Sequence, residues 1–80
     1  MTISPEQCRA ARAMLGWSQD QLASDSKVAK GTIANFELGK RIPFDRTLLD
    51  LQTSLENAGV LFQSTGELVD GGPGVRLANR

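Results

Sequence analysis

The 80-residue sequence contains no histidine and a single cysteine, Cys8. Those two shortages exclude an intrachain disulfide, a metal centre built from His and Cys, and nucleophilic catalysis by a Ser–His or Cys–His pair. Cys8 falls on the expected inner face of a helix, where a thiol acts as a small apolar residue. The nine Asp and Glu are scattered, with no close pair that reads as an acid/base couple. The glycines of DGGPG (70–74) are not followed by Lys and Ser/Thr, so they do not form a phosphate loop. Neither an enzyme nor a cofactor is expected. No apolar run approaches the ~20 residues that span a bilayer, and MTISPEQCRA lacks the basic and apolar regions of a signal peptide. A cytoplasmic protein without a membrane partner is the expectation. Charge of one sign is also missing. Nine Lys/Arg balance nine Asp/Glu, without the basic excess usual in nucleic-acid binders. The distribution is less even: residues 1–46 carry +2 and residues 47–80 carry −2.

Four stretches carry helix signals. In SPEQCRAARAMLG, Ser4 caps, Pro5 suits the first helical position and Gln7 completes a capping box. Cys8, Ala11 and Leu15 recur at helical spacing with Met14 alongside, and Gly16 stops the helix. In SQDQLAS the start signal returns. Ser18 caps, Gln21 follows three residues later, and Asp20 favours the positive helix end. Leu22 and Ala23 face inward and Trp17 anchors the approach. This helix spans about two turns and needs packing to persist. KGTIANFELG forms a third helix, with Ile33 and Phe36 inside and Val28 leading in. Its outward positions are Lys30, Gly31, Thr32, Ala34 and Asn35. A glycine there costs roughly 1 kcal/mol relative to alanine, and either permits close approach of another backbone or is a weak spot without function. GKRIP is a basic loop whose proline prevents continuation. DRTLLDLQTSLENAG is a fourth helix with Leu48, Leu51, Leu55 and Ala58 in its stripe, Leu49 off it and Gly59 at its end.

Beyond Gly59 the periodicity changes to alternation. Val60 and Phe62 fall on one side of a short strand, and Leu61 and Gln63 on the other. TGELVDGGPG is turn-rich, and Val75 and Leu77 alternate in a second strand. The expected class is mainly α, with four to five helices and a short C-terminal β-hairpin.

Two short helices joined by a tight turn inside such a bundle make a helix-turn-helix. The second helix must project so that its outer face can enter a DNA major groove. A small residue belongs where the two helices touch, which is Ala23. Apolar residues must lock the projecting helix from behind, which are Val28, Ile33 and Phe36. The sequence resembles the Cro/repressor class of helix-turn-helix regulators, the XRE family, over about Cys8 to Ala58. The resemblance rests on LGWSQDQLA, TIANFELGKRIP and TLLDLQTSLENAG. Two positions depart from the family pattern. Lys27 stands where the turn usually has Gly, which implies a positive φ at some cost. Ala29 replaces the usual Ser or Thr cap, at about 1 kcal/mol.

The resemblance implies a repressor-like regulator of double-stranded DNA. Lys30, Gly31, Thr32, Ala34 and Asn35 would line the groove, and Gln19, Thr32, Lys40, Arg41 and Arg46 would meet phosphate. Asn pairs with adenine, Lys donates to guanine, and Ala or the Thr methyl meets thymine's methyl. With no room for an effector domain, an autoregulatory repressor controlled by concentration, a partner or proteolysis is expected. Residues 1–59 would form the DNA-binding part and 60–80 a dimerisation tail. That tail carries Val60, Leu61, Phe62, Leu68, Val69, Val75 and Leu77. Pairing two chains through it would set recognition helices about one DNA turn, ~34 Å, apart on an inverted repeat. The alternative is a protein-interaction module, antitoxin-like or adaptor, on the same fold. In a second alternative, the hairpin folds back on its own helices.

Overall fold

The computed structural model describes residues 2–63 and 74–77. In chain order these form α1 (Pro5–Leu15), α2 (Gln19–Ser26), α3 (Lys30–Glu37), α4 (Asp45–Asn57), β1 (Val60–Gln63) and β2 (Gly74–Leu77). The turn-rich stretch with Leu68 and Val69 lies outside the described residues. Among the described residues the helices number four, and the class is mainly α, as the periodicity implies.

Each boundary has a local cause. Ser4 Oγ accepts from the Gln7 N–H at 3.1 Å and Gln7 Oε1 accepts from the Ser4 N–H at 2.8 Å, closing the capping box of α1. Ile3 and Cys8, both buried, occupy the N′ and N4 positions of a hydrophobic staple. Gly16 ends α1 at φ 70°, a left-handed conformation that costs glycine little. Ser18 Oγ accepts from the Gln21 N–H at 3.0 Å and starts α2.

The core is a single cluster. Cys8 and Ala11 of α1, Leu22 of α2, Val28, Ile33 and Phe36 of the α3 segment, and Leu48, Leu51 and Leu55 of α4 are all buried. Leu15, Trp17 and Ala23 pack against it, half-buried. Met14, adjacent to the stripe of α1, is exposed, as is Leu49 on α4.

The strands pair antiparallel, with Val60 opposite Leu77 and Phe62 opposite Val75. The hairpin packs on its own helices, β1 against α4 and α1, and β2 against α1. This corrects the expectation for Val60. It is fully buried in the core of its own chain and unavailable to a second one. Phe62 and Val75 also pack on that core, half-buried. The alternation put Val60 and Phe62 on one side, but α4 and α1 cover that side. Leu61, on the other side, is exposed.

Candidate nucleic-acid interface

The candidate reading element is the α2–α3 pair, and its joint spans three residues. Lys27 turns the chain at φ 66° and ψ 19°, the one non-glycine at positive φ among the described residues. Its N–H donates to the Ala23 carbonyl at 2.9 Å. Ser26 holds the turn from inside. Its hydroxyl donates to the Leu22 carbonyl at 2.7 Å and accepts from the Val28 N–H at 3.2 Å. Ala29 then occupies the N-cap of α3 without a side-chain hydrogen bond. The turn is therefore fastened at its buried side and left uncapped at its outer side.

Behind α3, the apolar anchors Val28, Ile33 and Phe36 are joined by a polar one. Glu37, the last residue of α3, is 2% exposed. Its carboxylate accepts four hydrogen bonds from two other helices. Arg12 of α1 donates through Nε to Oε2 at 2.8 Å and through Nη2 to Oε1 at 2.7 Å. Gln19, which opens α2, donates to Oε1 at 3.0 Å, and the Cys8 thiol donates to Oε2 at 3.1 Å. Arg9 donates to the Glu37 carbonyl, and Arg12 Nη1 to the Trp17 carbonyl at 2.9 Å. Burial alone raises a carboxyl's pKa, but the bonds from Arg12, Gln19 and Cys8 outweigh it and hold Glu37 below its ordinary value. Burial, with the Glu37 carboxylate beside it, pushes the Cys8 thiol well up. Cys8 is thus a neutral donor with no reactive thiolate.

The outer face of α3 carries the side chains expected to read bases. Lys30, Gly31 and Asn35 are exposed, and Thr32 and Ala34 half-buried. A Cβ placed on Gly31 would meet nothing within 4 Å, so no neighbour in this chain requires glycine there. Lys30 is engaged at the surface. Its Nζ stands 3.2 Å from Asp20 Oδ1, across the opening between α3 and α2. Among the residues expected at phosphate, Lys40, Arg41 and Arg46 are exposed and take part in no ion pair among the described residues. The Lys40 N–H donates to the Asn35 carbonyl at 2.9 Å, tying the basic loop to the end of α3. Arg41 and Thr32 line one groove, together with Pro43 and Thr47. Gln19 is placed differently from its fellows, half-buried with its amide turned to Glu37.

Sequence reasoning singled out the outward face and the loop but missed Glu37, Arg12, Ser26 and the Asp20 partner of Lys30. The signal for Glu37 was present, because a carboxylate directly after the apolar Phe36 continues the buried face of α3. Arg12 follows the buried Ala11 on α1 in the same way. Nothing local tells that these two turn toward each other.

The arrangement offers donors, acceptors and a small residue along a projecting helix, flanked by free cations. Base edges and phosphates are recognised by those groups. No helix among the described residues is long and apolar enough to cross a membrane. No curated protein matches the chain. Residues 9–55, more than half of it, match the family model for a helix-turn-helix, and the chain belongs to that family, the XRE-type helix-turn-helix regulators.

Proposed function

We propose that this protein is a sequence-specific double-stranded DNA-binding transcriptional regulator, an autoregulatory cytoplasmic repressor that binds an inverted-repeat operator as a dimer. One observation carries the reading. Thr32, on the outer face of α3, and Arg41, in the basic loop, line the same groove. A base-reading helix and a phosphate-gripping loop must meet in that way to engage one duplex.

In this reading Asn35 and Lys30 read base edges, with Thr32 and Ala34 against thymine methyls and Gly31 admitting the duplex closely. Lys40, Arg41 and Arg46 supply the sequence-independent affinity. Gln19 reaches phosphate with the amide hydrogen that Glu37 leaves free. Residues 1–59 do the binding, and the tail of residues 60–80 pairs two chains. Leu61, the exposed apolar side chain of β1, is the contact best placed for that role.

Selection from a random duplex pool, followed by titration of the selected site across a salt series, tests the reading. A selected inverted repeat and an affinity that falls steeply with salt are expected. Binding that ignores both sequence and salt would overturn it in favour of a protein-interaction module. Sedimentation tests the pairing, which fails if the chain is monomeric at high micromolar concentration.

A further inference from the structure

The most exposed large apolar side chains among the described residues are in the basic loop itself. Ile42 is 82% exposed and Phe44 is 86% exposed. They flank Pro43, directly after Lys40 and Arg41, and line the groove that Thr32 of α3 and Thr47 of α4 complete. Neither contributes to the core. Apolar side chains held in water beside a binding face mark a contact surface.

Its charge identifies the occupant. Residues 40–47 carry Lys40, Arg41 and Arg46 against a single Asp45. Two-fold pairing of this chain over the loop would bring both sets of cations together, and like charges across an interface are costly. An anionic partner is favoured instead. The groove is continuous with the outer face of α3 through Thr32, so the partner that meets α3 reaches Ile42 and Phe44 as well. Resting on the DNA reading above, we infer that Ile42 and Phe44 pack on the deoxyribose rings of the strand whose phosphates Lys40 and Arg41 hold. The loop then grips the backbone in two ways: cations on the phosphates, and apolar side chains on the sugars between them. The second contact releases no counterions, so it contributes affinity that salt does not screen.

The two contributions separate in a salt series. Ile42→Ala, Phe44→Ala and, for contrast, Lys40→Ala are titrated against the selected duplex and an unrelated one. Thermal unfolding and sedimentation of each variant accompany the titrations. Ile42→Ala and Phe44→Ala are each expected to weaken binding to both duplexes alike, by roughly tenfold, the scale of one lost apolar contact. The slope of log affinity against log salt stays at the parent's value. Lys40→Ala lowers that slope by about one unit. Phe44 stands at the N-cap of α4, so Ile42→Ala, outside every helix and strand, keeps the test independent of folding. Unchanged affinity in folded Ile42→Ala overturns the inference. A loss confined to one base-pair position overturns it too, because that is base reading. A change in self-association without a change in DNA affinity would assign the loop to a second copy. A parent that binds no duplex in a salt-dependent way fails the DNA reading itself, and this inference with it.

Discussion

Arg12 Nη2 stands 2.7 Å from Glu37 Oε1, joining the last turn of α1 to the last residue of α3. Both side chains are largely withdrawn from water, 19% and 3% exposed. Paired charges at this depth repay little net energy, but removing one partner leaves the other stranded. Glu37→Gln and Arg12→Met are each expected to lose about 3 kcal/mol of unfolding free energy. The double variant should lose less than the sum of the two. Urea unfolding of the three variants checks this, and strict additivity would mean that the pair does not couple.

The same carboxylate makes stability depend on acid. The folded value of Glu37 lies below its ordinary value, so the native state favours the ionised form. Its contribution is fully present above the unfolded value, about 4.3, and is lost as pH falls through the folded one. The unfolding midpoint should therefore drop on acidification below about pH 4, and the drop should be shallower in Glu37→Gln. Equal acid profiles for the two proteins would remove Glu37 as the source.

The α2–α3 joint carries two local costs that single substitutions relieve. Lys27 holds φ 66°, where a side chain crowds the backbone and glycine does not. Lys27→Gly is expected to add about 0.5–1 kcal/mol. Ala29 caps α3 with no hydrogen bond, and Ala29→Ser should add about 1 kcal/mol by accepting from an N–H of the first turn. Thermal unfolding of both variants tests the pair of costs, and unchanged midpoints would show a turn already relaxed.

These costs were legible because they are local. A residue type that conflicts with the backbone it must adopt can be read along the chain, as Lys27 and Ala29 were. The helices were legible for the same reason, since caps and 3.6-residue periodicity act within a few positions. What escaped is set by distance. Arg12 and Glu37 are 25 residues apart, and nothing near either one in the chain names the other as its partner. Only the approach of α1 to the end of α3 makes them a buried pair. The packing of the hairpin escaped by the same route. Alternation marks an apolar side on β1 but not what covers it, and α4 and α1 bury Val60 within its own chain.

Gly31 separates folding from function. No neighbour in the chain occupies the space its side chain would fill, and glycine weakens a helix. Gly31→Ala should raise stability by roughly 0.5–1 kcal/mol. If the duplex approaches α3 as proposed, the same methyl group should weaken binding to the selected site. Stability is read by unfolding and binding by titration. A variant that is both more stable and equally tight would place the duplex elsewhere on α3.

Lys30 enters the proposed interface already paired. Its ammonium stands 3.2 Å from Asp20 Oδ1 near the start of α2, and both side chains remain largely in water. Such a pair is weak, so a guanine or a phosphate can draw Lys30 away from it. In the proposed interface Asp20 would oppose binding twice, by competing for Lys30 and by presenting a negative charge beside the phosphates. Asp20→Asn removes both effects and leaves a polar residue in the first turn of α2. Tighter DNA binding is expected, by several-fold at low salt, with the gain shrinking as salt screens it. Lys30→Ala should weaken binding by about 1–3 kcal/mol on the selected site. In the double variant, the part of the Asp20→Asn gain that comes from freeing Lys30 should vanish, leaving only the relief of phosphate repulsion. Titrating all four proteins at two salt concentrations resolves the two parts. If Asp20→Asn strengthens binding equally with and without Lys30, the surface pair is irrelevant to recognition and Asp20 acts on the phosphates alone.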